Sequence, residues 1–244
     1  MKFCLDCQAT FDDPDFRCPA CGWHPVKRDE SLFFAPELLH EQCDFHPENH
    51  EQLFKLERSH FRFQNRNDLI IYTLNRYFSA AMSFCEVGCG TGFVLMGVAN
   101  ARPELKTVGI ELYPTVLAFA QSRLPQRVFF QADARQLPYV EEFDVVAALD
   151  VLEHLDEDEL VLRNMWQCLK PSGGVLITVP AHQWLWSIHD EMACHKRRYS
   201  HSELRSKIEK AGFRLIRMTS FVSFLLPLMF VSRVKSRWGG YQGE

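Results

Sequence analysis

The chain has 244 residues, of which 47% are hydrophobic and 24% charged, and its formal net charge is −4. These values describe an ordinary globular protein and exclude a disordered or fibrous chain. The length is enough for one large domain and a small module. No signal peptide is visible, and nothing marks the nine cysteines as disulfide partners, so the expected location is cytoplasmic.

The charges are unevenly placed along the chain. Residues 195–237 contain eleven Lys and Arg against two Glu, a net charge of +9, so the rest of the chain carries −13. A basic C-terminal quarter predicts either an anionic partner at that end or a solvated basic helix, and the sequence favours neither. The acidic remainder lacks the broad basic surface that is expected of an RNA-binding protein.

The N-terminal segment contains two C-x-x-C pairs, Cys4 with Cys7 and Cys18 with Cys21. Each pair can grip one metal ion from a tight turn, and four thiolates form the tetrahedral set that zinc prefers. Gly22, directly after the second pair, is typical of a zinc knuckle. We predict a structural Zn²⁺ site in a module of residues 1–26, which resembles a zinc ribbon, because so short a segment needs a metal to fold.

Residues 27–80 are predicted to form a helical extension between this module and the main domain. The apolar or small positions that recur near its end are Leu69, Ile70, Thr73, Leu74, Tyr77 and Phe78. Their helical spacing predicts a helix packed against the sheet. Packing explains the nearby His60, Arg62 and Arg66 less well, so these three residues are candidates for contact with a substrate.

Residues 84–93 form the most informative segment. A short apolar strand ends in a turn with glycines at 88, 90 and 92, and an apolar helix begins near Phe93. The glycines let the backbone approach a ligand, and the helix points its N-terminal amides at it. By itself the turn fits a plain connection, a dinucleotide site or a site for S-adenosylmethionine. Phe93 stands where a dinucleotide fingerprint has its third glycine, which favours a cofactor without phosphates.

The further strands that we predict are 106–111, 127–131, 143–149 and 175–179. The first ends at Glu111, where Rossmann-like folds bind ribose hydroxyls. The second leads into Asp133 beside Ala134, and the third ends at Asp150. Because strands alternate with helices, we predict an α/β fold with a doubly wound, mainly parallel sheet and a ligand at the carboxyl ends of its strands.

These motifs, in this order, resemble those of class I S-adenosylmethionine-dependent methyltransferases, in a bacterial branch similar to types 11 and 12. The matching segments are EVGCGTG (86–92), GIE (109–111), QADA (131–134), FDVVAALDVLEHL (143–155) and LKPSGGVLITVP (169–180). The resemblance covers about residues 80–220. It implies a Rossmann-like methyltransferase domain over residues 81–220, with the extension 27–80 covering the cofactor.

The resemblance also implies roles for the matched residues. Those expected to hold S-adenosylmethionine are Glu86, Gly88, Gly90 and Gly92 at its methionine end, Glu111 at the ribose, and Asp133 with the Ala134 amide at the adenine. Asp150 is expected near the transferred methyl group.

Candidates for acid–base chemistry lie after the predicted strands 143–149 and 175–179. A hydroxyl acceptor needs a nearby base to remove its proton. His182 is our first candidate and His154 the second, and a histidine that merely caps a helix is the competing interpretation. Trp184 and Trp186 are candidates for an acceptor wall, and residues 195–198 for a clamp on an anionic group. The loop 180–200 resembles bacterial family members that occur with cell-envelope glycan enzymes, and DVLEH (150–154) is similar to quinone-ring O-methyltransferases.

Residues 221–244 form a separate C-terminal segment. The apolar run 221–231 is too short to span a bilayer, and Arg233, Lys235 and Arg237 follow it. Such a segment either makes a peripheral membrane contact through residues 221–237, at the inner membrane face, or forms a core or lid helix. The sequence pattern lacks the final strand that this fold normally inserts.

We therefore expect an enzyme that methylates an oxygen atom of a small, sugar-like or lipid-linked acceptor. One alternative is an RNA base methyltransferase that recognises RNA through the ribbon. Nucleic acid is the less favoured partner, since no Asn-Pro-Pro-Tyr-type motif follows the fourth strand. The other alternative is a non-catalytic module in which ribbon and sheet bind a protein.

Overall fold

A computed structural model describes residues 1–28, 31–40, 47–221 and 226. Its strands are β1 (Lys2–Phe3), β2 (Thr10–Phe11), β3 (Val26–Arg28), β4 (Ser31–Phe33), β5 (Ser83–Val87), β6 (Lys106–Glu111), β7 (Val128–Gln131), β8 (Phe143–Leu149) and β9 (Leu169–Thr178). Strands β3 to β9 form one sheet in the order β3-β4-β7-β6-β5-β8-β9, and β1 pairs with β2 separately. Every neighbouring pair of the large sheet is parallel except β3–β4, which confirms the doubly wound α/β fold.

Helices connect these strands. They are α1 (Pro47–Leu56), α2 (Phe61–Tyr77), α3 (Phe93–Ala101), α4 (Pro114–Arg123), α5 (Asp158–Cys168), α6 (Ile188–Met192) and α7 (His201–Lys210). Short 3₁₀ turns lie at Pro36–His40, Leu152–His154 and Gln183–Leu185. α4 starts at Pro114, whose fixed φ suits a first helical turn and whose missing N–H has no partner there to lose.

Both faces of the sheet are buried, and alternate residues of a strand contribute to opposite faces. Phe84 of β5 packs among α2, α3 and α4, with Ile70, Leu95 and Leu117. Cys85, the next residue, belongs to the opposite core, which α5 and α7 cover. This arrangement explains the apolar run at residues 145–149 of β8, since a parallel strand that is covered on both sides has no solvent face.

The N-terminal module packs into the second of these cores. The Phe16 ring is 2% exposed and makes edge contacts with Phe34, Phe130 and Tyr139 at centroid distances of 4.9, 5.4 and 5.6 Å. The Phe3 amide donates to the Pro138 carbonyl at 3.0 Å. The module is therefore part of the hydrophobic core of the main domain.

The structure corrects two details of the sequence interpretation. The extension 27–80 is helical only in part, because β3 and β4 form a hairpin whose second strand runs parallel to β7. Residues 170–174 (Lys-Pro-Ser-Gly-Gly) are not a turn before the last strand but form a bulge within β9. Phe143 pairs with Leu169 on one side of this bulge, and Val145 pairs with Gly174 on the other. Single-chain patterns do not show such pairings, since the partner strands lie far away in sequence.

The C-terminal segment lies mostly outside the described residues, and so does the predicted membrane contact through 221–237. Among the residues that are described, no strand follows β9. None of the helices in the described part of the chain has the length and apolarity to cross a bilayer.

Candidate functional site

The glycine turn joins β5 to α3 at the carboxyl edge of the sheet. Gly88, Gly90 and Gly92 have φ values of +67, +53 and +74°, which side chains disfavour. A Cβ atom at Gly88 would lie 2.5 Å from Val151, and one at Gly92 would lie 2.9 Å from Ala120. A Cβ at Gly90 would meet nothing within 4 Å. Two glycines therefore allow close packing, and Gly90 faces open space at the position expected for the cofactor.

Two acidic residues lie beside this turn. Glu111 accepts a hydrogen bond from the Gly90 amide at 2.9 Å and from the Leu112 amide at 2.8 Å. Glu86 is 2% exposed, and its Oε2 atom has no hydrogen-bond partner. An orphaned carboxylate oxygen is costly unless a ligand satisfies it. The residues therefore fit S-adenosylmethionine, whose amino and ribose hydroxyl groups are donors.

Burial raises the pKa of Glu86 to about 8. The folded state then holds a proton that the unfolded chain loses near pH 4.5, so the stability of the ligand-free protein falls as pH rises between these values. We expect Glu86→Gln to reduce this fall between pH 6.5 and 8, because the amide does not ionise, and to weaken S-adenosylmethionine binding. Denaturation at several pH values and calorimetry measure both effects.

The exposed Glu104→Gln is the matched control, since its carboxylate already lies at the surface. An equal pH slope in Glu86→Gln and the unmodified protein would contradict a buried, protonated Glu86.

Asp133 follows β7, as the sequence predicts, but its carboxylate is already engaged. Arg135 Nε donates to Asp133 Oδ2 at 2.8 Å, and the Arg135 amide donates to Oδ1 at 2.8 Å. Arg135 Nη2 also lies 2.8 Å from Oδ2, so Arg135 already takes up most of the roughly four hydrogen bonds that a carboxylate accepts. Ala134 is half-buried and packs on the main core. The adenine role of both residues stays a prediction.

Asp150 follows β8 in a strained backbone conformation with φ +59°. Its Oδ1 accepts from the Thr178 hydroxyl at 2.8 Å, and its Oδ2 pairs with Arg66 Nη2 at 3.0 Å. Arg66 therefore brings α2 over the ends of β8 and β9, which places one candidate from the extension at the site. His60 instead caps α2 and stacks on Phe61 at the surface.

A buried ion pair beside the turn was missed by the sequence reasoning. Glu57 Oε2 accepts from the Thr91 hydroxyl at 2.6 Å and pairs with Arg123 Nη2 at 2.7 Å. The Arg123 guanidinium also lies 4.2 Å from the centre of the Phe54 ring. The pair fastens α1 and α4 to the glycine turn. No local pattern marks it, because a Glu after one helix and an Arg ending another look like ordinary surface residues.

The loop after β9 folds back onto the segment after β8. Asp190 is 1% exposed and accepts from Arg198 Nε at 2.7 Å and from His195 Nδ1 at 3.0 Å. His195 Nε2 then faces Glu153 Oε1 at 4.0 Å, and the rings of His195 and His154 are 4.9 Å apart. The two loops thus bring Glu153, His154 and His195 together.

Burial shifts the pKa values of two members of this group. Burial, together with the neighbouring His195, lowers the pKa of His154 to about 4. Burial, together with the charge of Asp150, raises the pKa of Glu153 to about 8. At neutral pH His154 is therefore an uncharged imidazole. Sequence reasoning singled out His154 but missed the partnership with His195.

His182 lies on the same loop with a φ of +65°, and its amide donates to the Tyr199 carbonyl at 3.0 Å. Its ring lies 5.6 Å from Trp184 and 6.3 Å from His201. Its role as a base stays a prediction.

The basic residues 196–198 do not form the expected anion clamp. Lys196 pairs with Asp156, Arg197 with Asp158 at 3.3 Å, and Arg198 with Asp190. Lys196 and Arg197 therefore join the loop to Asp156 and to Asp158, the first residue of α5, while Arg198 pairs with Asp190 within the loop itself.

The four cysteines of the N-terminal module lie together. Cys4 Sγ is 3.6 Å from Cys21 Sγ, and Cys7 Sγ is 3.6 Å from Cys18 Sγ. All four sulphur atoms lie within 4.8 Å of one another. Four-coordinate zinc with bonds of about 2.3 Å separates its sulphur ligands by about 3.8 Å, so the spacing fits a metal without rearrangement.

The family comparison agrees with this geometry. A family model described as a methyltransferase domain matches residues 85–177, from the middle of β5 to the end of β9. Residues 85–177 are a class I S-adenosylmethionine-dependent methyltransferase domain. The predicted family and fold are therefore confirmed.

Curated relatives resemble this methyltransferase domain rather than the whole chain. A malonyl-[acyl-carrier protein] O-methyltransferase of Haemophilus ducreyi is 35% identical over 45% of the chain and 43% of the relative. A ubiquinone biosynthesis O-methyltransferase of Pseudomonas fluorescens is 31% identical over 41% of the chain and 44% of the relative. The chain thus spans less than half the length of these relatives.

A solved structure shares the fold of the methyltransferase domain over a longer stretch. It is phosphoethanolamine N-methyltransferase 2 of Haemonchus contortus in complex with S-adenosyl-L-methionine, with a TM-score of 0.63 at 18% identity. It covers 87% of this chain and 53% of its own. At this identity the likeness shows the fold alone.

Proposed function

We propose that this protein transfers the methyl group of S-adenosylmethionine to an oxygen atom of a small or carrier-linked acceptor. The observation that carries the proposal is the orphaned Glu86 carboxylate beside the open space at Gly90, next to Glu111. The curated relatives, by their names, are O-methyltransferases whose substrates include a malonyl group on an acyl-carrier protein. A lipid-linked or sugar-like acceptor belongs to the same proposal.

Different residues would bind the cofactor and accept the proton. Glu86, the glycine turn and Glu111 would hold S-adenosylmethionine, which supplies a methyl group activated by a positively charged sulphur. Methyl transfer forms an O–C bond and breaks an S–C bond, and a hydroxyl acceptor also loses its proton. The imidazole of His154 or of His182 is the proposed proton acceptor. Most of the rate enhancement comes from alignment of the acceptor with the methyl group and from exclusion of water.

We also propose that the ribbon holds one structural Zn²⁺ ion. Four thiolates leave no coordination position open, so the metal would support the fold and not the chemistry. RNA recognition through the ribbon is disfavoured because Phe16, within its second half, is buried in the main core. Residues 196–198 are each paired with an acidic side chain, so these three basic residues do not present a free basic surface to RNA.

Methyl transfer from labelled S-adenosylmethionine tests the reaction. We expect label in small molecules, lipids or acyl-carrier conjugates of a fractionated bacterial extract, and none with Gly90→Arg, which fills the open space of the turn. Label in RNA would overturn the acceptor class. Absence of S-adenosylmethionine binding by calorimetry would overturn the enzymatic proposal.

A further inference from the structure

Glu153, His154 and His195 place three potential metal-ligand atoms close together. One donor atom from each side chain lies within 4.8 Å of the others. The two histidines come from different loops, one after β8 and one after β9. Two imidazole nitrogens and one carboxylate oxygen are ligands that divalent transition metals favour.

Glu153 supplies the independent observation. Its side chain is 1% exposed, and neither carboxylate oxygen has a hydrogen-bond partner. A carboxyl group buried without a partner is strongly unfavourable unless something in the site binds it. The nearest nitrogen, His195 Nε2, is 4.0 Å away, too far for a hydrogen bond.

Both imidazoles are oriented by groups behind them. Asp190 binds His195 Nδ1 at 3.0 Å, which leaves the Nε2 lone pair directed at Glu153. The His154 ring is hydrogen-bonded to the backbone of Cys194. A carboxylate or carbonyl behind a histidine is the usual outer support of a metal ligand, because it fixes the tautomer and raises the basicity of the opposite nitrogen.

We infer that Glu153, His154 and His195 form a site for one divalent transition-metal ion, of the class that includes Mn²⁺, Fe²⁺, Co²⁺ and Zn²⁺. Metal–ligand bonds of about 2.0–2.2 Å place neighbouring ligand atoms about 3 to 3.5 Å apart, so the side chains close in by about 1 Å. The ion balances the buried carboxylate and satisfies its oxygens.

Three protein ligands leave at least one coordination position open, as in catalytic metal sites. The charge of Asp150 acts on the pKa of both Glu153 and His154, so Asp150 lies near these two ligands. Because Asp150 is also expected near the transferred methyl group, the metal site would lie near the reacting atoms. A hydroxyl acceptor bound at the open position would lose its proton more readily. This use of the site rests on the proposed function, and it leaves His182 as the candidate base, since a metal-bound His154 takes no proton.

Titration with Mn²⁺, followed by electron paramagnetic resonance, tests the site without any acceptor. The ribbon is first loaded with one equivalent of Zn²⁺, which four thiolates bind in preference to the oxygen and nitrogen ligands of the new site, and Mn²⁺ favours those oxygen and nitrogen ligands. We expect one Mn²⁺ per chain. Glu153→Gln and His195→Ala should each weaken its binding at least tenfold, whereas His189→Ala, an exposed histidine of α6, should leave it unchanged.

The isosteric Glu153→Gln guards against misfolding, and its unfolding transition is measured beside the titration. Equal Mn²⁺ affinity in Glu153→Gln and the unmodified protein would overturn the inference, as would the absence of any bound Mn²⁺ at millimolar concentration. S-adenosylmethionine binding, measured separately, keeps failure of the metal site distinct from failure of the methyltransferase proposal.

Discussion

Loss of one ribbon cysteine is expected to destabilise the whole methyltransferase domain. Cys18→Ser removes a buried ligand of the proposed Zn²⁺ site only two residues after Phe16. A structural metal supplies folding free energy directly, on the order of 10 kcal/mol in isolated zinc-binding peptides. Because Phe16 packs between Phe34, Phe130 and Tyr139, opening of the ribbon withdraws an aromatic ring from the shared core.

The expected result is one cooperative unfolding transition at a much lower denaturant concentration, together with loss of about one Zn²⁺ per chain. A chelator should reproduce both effects in the unmodified protein. Phe16→Ala, which keeps all four thiolates, should cost about 3–5 kcal/mol through the cavity it leaves. Guanidinium denaturation followed by circular dichroism, with metal analysis, measures each variant.

Cys194→Ser is the matched control, because Cys194 lies in the loop after β9 and outside the ribbon. Two separate transitions, with the main one unchanged in Cys18→Ser, would show that ribbon and sheet fold independently. That outcome would contradict the integrated core.

The second large effect is expected from the buried Glu57–Arg123 pair. Glu57→Gln leaves the Arg123 guanidinium, whose side chain is 0% exposed, without its counter-charge. Removal of one partner from a buried ion pair costs about 3–5 kcal/mol, more than the pair contributes over an apolar replacement. The Gln amide offers one acceptor oxygen where the carboxylate offers two, so Thr91 and Arg123 compete for it, and we expect weaker S-adenosylmethionine binding as well.

A double-mutant cycle separates the interaction energy of the Glu57–Arg123 pair from the effects of each single substitution. Glu57→Met combined with Arg123→Met should recover most of the stability that either substitution loses alone, because no unpaired charge remains. Glu51→Gln, which breaks an exposed pair with Lys55 on the same helix, should cost less than about 1 kcal/mol. Equal losses from Glu57→Gln and Glu51→Gln would contradict the buried pair.

The sequence predicts the part of the site that is built from local pattern. The glycine turn, Glu111 and Asp150 follow strands whose apolar runs are short and continuous, and parallel strands bring their carboxyl ends to one edge. The four cysteines are equally visible, since each C-x-x-C pair is local and the preference of zinc for four thiolates predicts that the two pairs meet. Strand bounds for β6 and β8 coincide with the prediction.

The features that were missed depend on contacts between distant segments. Glu57 meets Arg123 and Thr91 only because α1 lies against α4. His195 reaches Glu153 only because the loop after β9 folds back through Asp190. Parallel pairing of β4 with β7 joins Leu32 to Phe130, which lie almost a hundred positions apart in the sequence. Spacing along one chain carries no information on such encounters.

The docking of Phe16 against Tyr139 also has a consequence for the order in which the protein is made. The N-terminus leaves the ribosome first, but, apart from Phe34, the aromatic residues that cover the Phe16 ring are Phe130 and Tyr139, which are synthesised more than a hundred positions later. Until then the ring and the strands of the β3–β4 hairpin stay exposed, and the closure of so long a loop is slow. Early metal capture by the cysteines would hold this segment in shape during the wait.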